Sequence, residues 1–366
     1  MFLRKRTTYL LTSTATATSN HPSKDSDTIN NNNNSMTHKK KRKVDKKTFH
    51  WLMDAWAFSG ELDAVENAFA LLTRMEELST DMNCSPDVRS YTKVMNALSR
   101  SGRLDAGVLA QQLFSKMKST TTTNTLIPNS HTYTALMEAH ANSGDAQKAE
   151  EVLDQMMELY HQGKEIVPSA RNFNSCISAY AKNGQARQAE AVFTKLEEHY
   201  EHDGNMEAKP NSFHYNSVIA AWANCPEEGS AQQAQEVLNR MLAPTTVSYN
   251  AVIDAWAKSG VDDAAEKAEE LLRQMEHLHE SGANINAKPN VRSFNSVINV
   301  WAKSKREDAA QKAEGVLCLM KQLYEEGNED VRPDVHSFTT VINGTFFRST
   351  IRTCAPKSPS LVRYSH

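Results

Sequence analysis

Apolar residues recur along this chain with the spacing of helix faces, and the same faces return at intervals of about forty residues. An aromatic followed by a polar residue opens each unit: Phe49-His50, Tyr91-Thr92, Tyr133-Thr134, Phe173-Asn174, Tyr215-Asn216, Tyr249-Asn250, Phe294-Asn295 and Phe338-Thr339. Successive aromatics stand 34 to 45 residues apart. Seven places further on stands Trp56, Leu98, His140, Tyr180, Trp222, Trp256 or Trp301. With apolar residues three and four places after the aromatic, as at Val297 and Ile298, this makes a helical stripe.

A second stripe follows at i, i+4, i+7. It reads Ala68-Leu72-Met75, Ala110-Phe114-Met117, Ala149-Leu153-Met156, Ala189-Phe193-Leu196, Ala234-Leu238-Met241, Ala268-Leu272-Met275 and Ala313-Leu317-Met320. Alanine at its head lets two helices approach, and the larger pair fills the groove between them. A Pro with a small polar residue closes each unit, from Pro86-Asp87 to Pro333-Asp334. Proline cannot continue a helix, and the residue after it suits a helix start. One hairpin cannot bury both its faces, so neighbouring units must stack on one another.

This pattern places seven repeats at 46–87, 88–129, 130–169, 170–211, 212–245, 246–290 and 291–334, with an eighth starting and running to 343. Five units carry three extra residues between the aromatic and the second-helix Ala, and six carry an extended segment before the Pro. These additions are expected to lengthen the second helix or the loop after it. Residues 344–366 hold no second stripe and are expected to form an irregular tail, as in an array cut short.

The repeat resembles the pentatricopeptide repeat, most closely in Val291–Ser304, Val-Arg-Ser-Phe-Asn-Ser-Val-Ile-Asn-Val-Trp-Ala-Lys-Ser. The Trp-x-x-Leu-Gly-x-x-Tyr signature of tetratricopeptide hairpins is absent. The resemblance covers about 46–343, although most units exceed the family's usual length. It implies an all-α, right-handed α-α superhelical solenoid of helical-hairpin repeats that binds single-stranded RNA.

Numbering each first helix from the residue after the small polar one, places 5, 9 and 13 share a second, polar face. In the seventh unit these are Asn295, Asn299 and Lys303; in the fourth Asn174, Ser178 and Lys182. Amides and hydroxyls suit base edges, one base per repeat, while Arg100, Lys182, Lys258 and Lys303 at place 13 suit phosphates. Place 2 supplies Arg89, Arg171 and Arg292 for backbone or stacking contacts.

In the family, place 5 and the last residue of the unit jointly select a base. Carried over, Thr92 with Asn129 resembles an adenine reader. Asn174 with Asn211 and Asn250 with Asn290 resemble pyrimidine readers that favour cytosine. Asn295 with Asp334 resembles a uracil reader, and Asn216 with Thr245 a pyrimidine reader. His50 with Asp87 and Thr134 with Ser169 are uncommon pairs without an assignment, and Thr339 opens the incomplete eighth unit. The implied partner is single-stranded RNA, pyrimidine-rich toward its 3′ end.

Charge complicates this reading. Of 41 Lys and Arg and 44 Asp and Glu, residues 1–47 hold eleven and three, so the remainder is acidic. The acidic residues, for example Glu266, Glu269 and Glu270, fall mainly on second helices, where they are expected to face solvent away from the polar stripe. Residues 1–45 combine an early stretch without acidic residues, in which Arg4, Lys5, Arg6 and Lys24 are interspersed with Ser, Thr and Ala, with Asn30–Asn34 and the basic run Lys39–Lys43. They are expected to be a transit peptide, a disordered linker and a basic segment, which suggests a mitochondrion, with plastid or nucleus as alternatives.

No run of apolar residues reaches a membrane span, and the five cysteines form no Cys-x-x-Cys pair. His-Glu-x-x-His, a glycine-rich phosphate loop and a nucleophile elbow are all missing. The expectation is therefore organellar RNA processing, stabilisation or translation without catalysis, cofactor or small-molecule substrate. The alternative is a protein–protein scaffold or an assembly subunit of an organellar ribosome.

Overall fold

The computed structural model describes residues 4, 7–8, 45–78, 84–119 and 126–354, with side chains up to 344. All regular structure among them is helical. The chain divides into two compact units, Met1–Pro168 and Ser169–His366. In the first, the helices are α1 (Lys46–Ala57), α2 (Ala64–Glu77), α3 (Val88–Arg100), α4 (Ala106–Ser119), α5 (Ser130–Asn142) and α6 (Ala146–His161). In the second they are α7 (Ala170–Lys182), α8 (Ala186–Glu201), α9 (Ser212–Ala223), α10 (Ser230–Asn239), α11 (Thr246–Ser259), α12 (Ala264–Glu280), α13 (Val291–Lys303), α14 (Ala309–Glu325) and α15 (Val335–Cys354). No helix among the described residues is long and apolar enough to cross a membrane.

Within each unit the odd-numbered first helices pack on one another, and each second helix except α6, which packs on α5, sits between two of them. The stripes supply the core. Ala68, Ala110, Ala149, Ala189, Ala234 and Ala268 have no exposed surface, and Phe49, Phe173, Phe193, Phe294 and Trp301 are fully buried. Each such large side chain contributes ~1.5–3 kcal/mol through burial.

First helices start where they do because their N-caps are built in. Asp87, Asn129, Asn211, Thr245 and Asn290 are extended, follow a Pro or precede the helix directly, and exchange hydrogen bonds with the third helical residue. Such reciprocal caps satisfy amides that the helix itself leaves unpaired.

Each tryptophan at place 11 is core with a polar handle. Trp222 Nε1 donates to Glu190 at 2.9 Å, Trp256 Nε1 to Gln235 at 2.8 Å and Trp301 Nε1 to Glu269 at 3.0 Å. In these three the acceptor follows the stripe alanine of the preceding repeat. Glu269 is thereby held between Trp301 and Arg273 instead of facing solvent, and Glu266 pairs with Arg306. The expectation of an outward-facing carboxylate fails for Glu269 because a buried indole N–H needs an acceptor, while the Glu266 side chain stays 41% exposed in its ion pair. Glu270 is exposed.

Two further expectations change. The three extra residues lengthen the turn between the two helices of a hairpin, not the second helix: Phe58–Asp63 and Asn224–Gly229 stand where Ser143–Asp145 suffices in the third repeat. Leu62 and Leu104, inserted there, are almost wholly exposed, so nothing draws them into a helix. The later additions do extend second helices, to 16 or 17 residues in α8, α12 and α14. Short 3-10 turns follow at Met206–Ala208, Ile285–Ala287 and Glu329–Val331, whereas α10, in the shortest repeat, has 10 residues. Finally, the segment expected to be irregular from residue 344 continues α15 as far as Cys354. Nothing between 344 and 354 breaks a helix, and Pro356 comes just beyond.

Candidate nucleic-acid interface

The polar face of the first helices is assembled by the N-caps. In the first, sixth and seventh repeats the last residue, which caps the next first helix, lies beside place 5 of its own repeat. Asn295 Nδ2 donates to the two Asp334 carboxylate oxygens at 3.2 and 3.4 Å. Asn250 Nδ2 reaches Asn290 Oδ1 at 3.5 Å, and His50 Nε2 stands 3.3 Å from Asp87 Oδ1. The other pairs are tied less directly. Thr92 Oγ1 meets Thr132 Oγ1 at 3.0 Å, and Thr132 is bound to Asn129. Asn174 contacts Ser178 and Ser217 while Asn211 caps the amide of Phe213. Thr245 is engaged with Ser248, and the buried Asn216 Oδ1 has no partner. Thr134 and Thr339 each return their hydroxyl to a carbonyl four residues back, and Ser169 belongs to the cap of α7.

Place 3 is the component that the sequence reasoning missed. Ser337 Oγ donates to Asn295 Oδ1 at 2.7 Å and to Asp334 Oδ1 at 2.9 Å, which locks the orientation of both. Ser90 Oγ likewise stands 2.9 Å from His50 Nε2 and donates to Asp87 Oδ1 at 3.0 Å. His214, in the corresponding place, accepts from the Asn211 amide at Nδ1 and donates from Nε2 to the Ala170 carbonyl. Burial pushes its pKa down, in keeping with that neutral tautomer. The signal was present as a Ser, Thr, Asn or His three residues after each small polar residue, the spacing of a capping box.

Electrostatics sharpen the seventh repeat. The Ser337 backbone N–H holds the Asp334 carboxyl below its usual range against a desolvation cost, helped by the Ser337 hydroxyl and the Asn295 amide. Asp334 is therefore a fixed, ionised acceptor. Beside it opens a recess of ≈ 380 Å³ lined by Arg292, Asn295, Ser296, Asn299, Asp334 and His336, with Val291 at its edge. In the sixth repeat Asn250 is 5% exposed, and its Oδ1 is buried without a hydrogen-bond partner.

The cationic residues divide into two groups. Arg89, Lys182 and Lys303 are exposed, as is Arg171. Arg292 is paired with Asp254 at 2.7 Å; Lys258 Nζ donates to Asn224 Oδ1 at 2.8 Å; Arg100 lies over the Phe58 ring at 4.2 Å. Place 13 thus reaches back to place 13 of the preceding repeat in at least two junctions.

Two family models match the chain: one described as a pentatricopeptide repeat domain, over residues 121–183, and one described as a PPR repeat, over residues 172–200. Residues 121–200 are thus similar to pentatricopeptide repeats. The crystal structure of the pentatricopeptide repeat protein PPR10 from maize is similar at 21% identity and a TM-score of 0.47. That alignment covers 84% of this chain and 44% of the maize chain. The structure of PPR10 in complex with an 18-nt psaJ RNA element aligns at 20% identity and a TM-score of 0.41, covering 86% of this chain and 44% of that one. This chain therefore spans less than half the length of these solved chains. No curated protein matches it. The matched pentatricopeptide repeats include Thr134, Ser169 and Asn174 among the place-5 and cap residues described above.

Proposed function

We propose that the chain binds single-stranded RNA and selects bases through its pentatricopeptide repeats, with no catalytic step of its own. The observation that carries this is the oriented Asn295–Asp334–Ser337 group beside an open recess. A carboxylate and an amide fixed by a cap present acceptor and donor at defined positions, as reading one base edge requires. Asn250, tied to Asn290, extends the same pairing to the repeat before it.

The selection reads in chain order. Thr92 with Asn129 takes adenine. Asn174 with Asn211 and Asn250 with Asn290 take pyrimidines, cytosine favoured, with a pyrimidine at Asn216 and Thr245 between them. Asn295 with Asp334 takes uracil. Exposed Arg89, Lys182 and Lys303 meet the backbone. Binding of this kind acts on RNA by protecting, remodelling or recruiting, and the composition of residues 1–45 puts that activity in an organelle, the mitochondrion first.

The test is fluorescence anisotropy of the full chain at physiological salt with three oligonucleotides: the adenine-plus-pyrimidine match, the same RNA with purines at its last two places, and the DNA equivalent. Affinity for the match, weakened by ~1–3 kcal/mol per wrong base, supports the reading. Equal binding of match and purine swap removes base selection, and absence of RNA binding removes the function altogether.

A further inference from the structure

We propose that the N-terminal residues Arg4 and Thr7 dock on the first repeat in the register of a missing second helix, so that this segment caps the array. The argument rests on the junction between the fourth and fifth repeats. There, Arg187 and Glu190 lie three places apart on α8. Arg187 Nη2 pairs with Glu227, in the turn of the next hairpin, at 2.8 Å, and Glu190 Oε2 accepts from Trp222 Nε1 at 2.9 Å. Glu227 stands twelve residues after the repeat's aromatic, Tyr215, and Trp222 seven.

Arg4 and Thr7 repeat this arrangement on α1 and its turn. Arg4 pairs with Glu61 at 2.9 Å and with Asp63 at 3.3 Å, and Thr7 Oγ1 accepts from Trp56 Nε1 at 2.8 Å. Glu61 is again twelve residues after its aromatic, Phe49, and Trp56 seven. Arg4 and Thr7 are three apart, both helical, and Thr8 returns its hydroxyl to the Arg4 carbonyl at 2.9 Å, as the turn of a helix allows. Thr7 is 1% exposed. The polarity of the ion pair is that of Arg187 with Glu227; at the second and seventh repeats the signs are reversed, Arg103 reaching Glu66 and Arg306 reaching Glu266.

The reason for such a cap is physical. A solenoid's first repeat has no predecessor, so its outer face keeps buried groups without partners unless something covers it. Here the indole N–H of the fully buried Trp56 would be one of them. The first repeat therefore offers a surface for a helical segment with a cation and, three residues later, a hydrogen-bond acceptor. The chain's own N-terminus has that pair, so in the chain that keeps these residues they cap the first repeat, whatever targeting role their composition suggests.

The test reads hydrogen exchange of the tryptophan indole N–H groups by NMR in the full chain. Thr7→Val, and separately removal of residues 1–8, should speed exchange at Trp56 by roughly tenfold or more, with Trp301 unchanged as an internal control of folding. Thr7→Gln, which copies the Gln235 acceptor of Trp256, should keep Trp56 protected. Arg4→Glu should also speed Trp56 exchange, and the exchange of signs in Arg4→Glu with Glu61→Arg should restore it. Protection of Trp56 that survives both Thr7→Val and removal of residues 1–8 would overturn the cap, whatever the outcome of RNA binding.

Discussion

Tyr91 donates its hydroxyl to Glu76 Oε1 at 3.0 Å, joining the aromatic that opens one repeat to the residue after the stripe methionine of the repeat before. Tyr215 and Glu197 make the same bond at 3.1 Å. A cation from the following second helix completes each group, Lys116 on Glu76 and Arg240 on Glu197. Where the residue after the methionine is Lys321, it lies over the Phe338 ring at 4.9 Å instead. The sixth repeat breaks the pattern. Glu276 occupies the carboxylate's place, but the next aromatic is Phe294, without a hydroxyl, and Leu319 stands where Lys116 and Arg240 do.

The consequence is a carboxyl with Oε1 buried and unpartnered. Burial, with Glu280 adding repulsion, pushes its pKa up to about 7 from 4.5. The folded state then holds the proton more tightly than the unfolded chain, so Glu276 favours folding below about pH 4.5, and that contribution is lost as pH rises through about 7. Phe294→Tyr should supply the missing donor, and Glu276→Gln should remove the charge. Each should stabilise the protein at pH 8 by ~1–2 kcal/mol, a figure reduced for the carboxyl's partial exposure, and do little at pH 4.5. Denaturant titrations at the two pH values measure this, and a gain that does not shrink toward low pH would refute the role of Glu276.

Two helix-interior glycines should respond oppositely to alanine. A Cβ on Gly315, in α14, meets nothing within 4 Å, so Gly315→Ala should stabilise by ~0.5–1 kcal/mol through helix propensity. On Gly107, in α4, a Cβ would come within 2.5 Å of His140 Nδ1 and 3.1 Å of His140 Cα. Since the added carbon would clash with the buried His140 ring and with Ser143 Oγ at 2.8 Å, Gly107→Ala should cost ~1–3 kcal/mol. Thermal unfolding of the two variants decides, and destabilisation by both would show that Gly315 has a packing role.

What was legible in the sequence follows from the range of each interaction. The stripes Phe294-Val297-Ile298-Trp301 and Ala313-Leu317-Met320 are local periodicities, and they place α13 and α14 correctly. Pro289-Asn290 followed by Ser293 likewise announces the start of α13. The Trp301–Glu269 bond, by contrast, joins residues 32 apart, and nothing local in Glu269 marks it as the partner of an indole. The turn at Phe58–Asp63 was misjudged because an insertion changes spacing without saying which element absorbs it. At the site, Asn295 and Asp334 were legible as a pair, but Ser337 was not, because a capping residue looks the same whether or not its hydroxyl also serves the repeat before.

The exposed place-13 cations should set the salt dependence of RNA binding without setting its base preference. Lys182→Ala and Lys303→Ala should each lower the slope of log K against log salt by about 0.7, with the same ranking of oligonucleotides. Lys258 already donates to Asn224 Oδ1 and the Ala223 carbonyl, so Lys258→Ala should change the slope less. Anisotropy titrations across a range of salt measure all three, and a changed base ranking in Lys303→Ala would mean that it contacts bases.

Asp334→Asn should move the seventh repeat's preference from uracil toward cytosine. An ionised carboxylate only accepts hydrogen bonds, which suits the N3–H of uracil, whereas an asparagine amide also offers a donor to the N3 acceptor of cytosine. The substitution leaves the fold alone, because Asn and Asp are comparable N-caps and Asn290 already caps α13 in the same way. Ser337 still has an oxygen to bind, so the orientation of Asn295 is kept. With uracil and cytosine compared at the last place of an otherwise fixed oligonucleotide, the wild type should favour uracil by ~1–3 kcal/mol, and the variant should level or invert that difference. Because Asp334 is held below the usual carboxylate range, the wild-type preference should persist in mildly acidic buffer. An unchanged preference in Asp334→Asn, at unchanged thermal stability, would remove Asp334 from base reading and leave it as a cap alone.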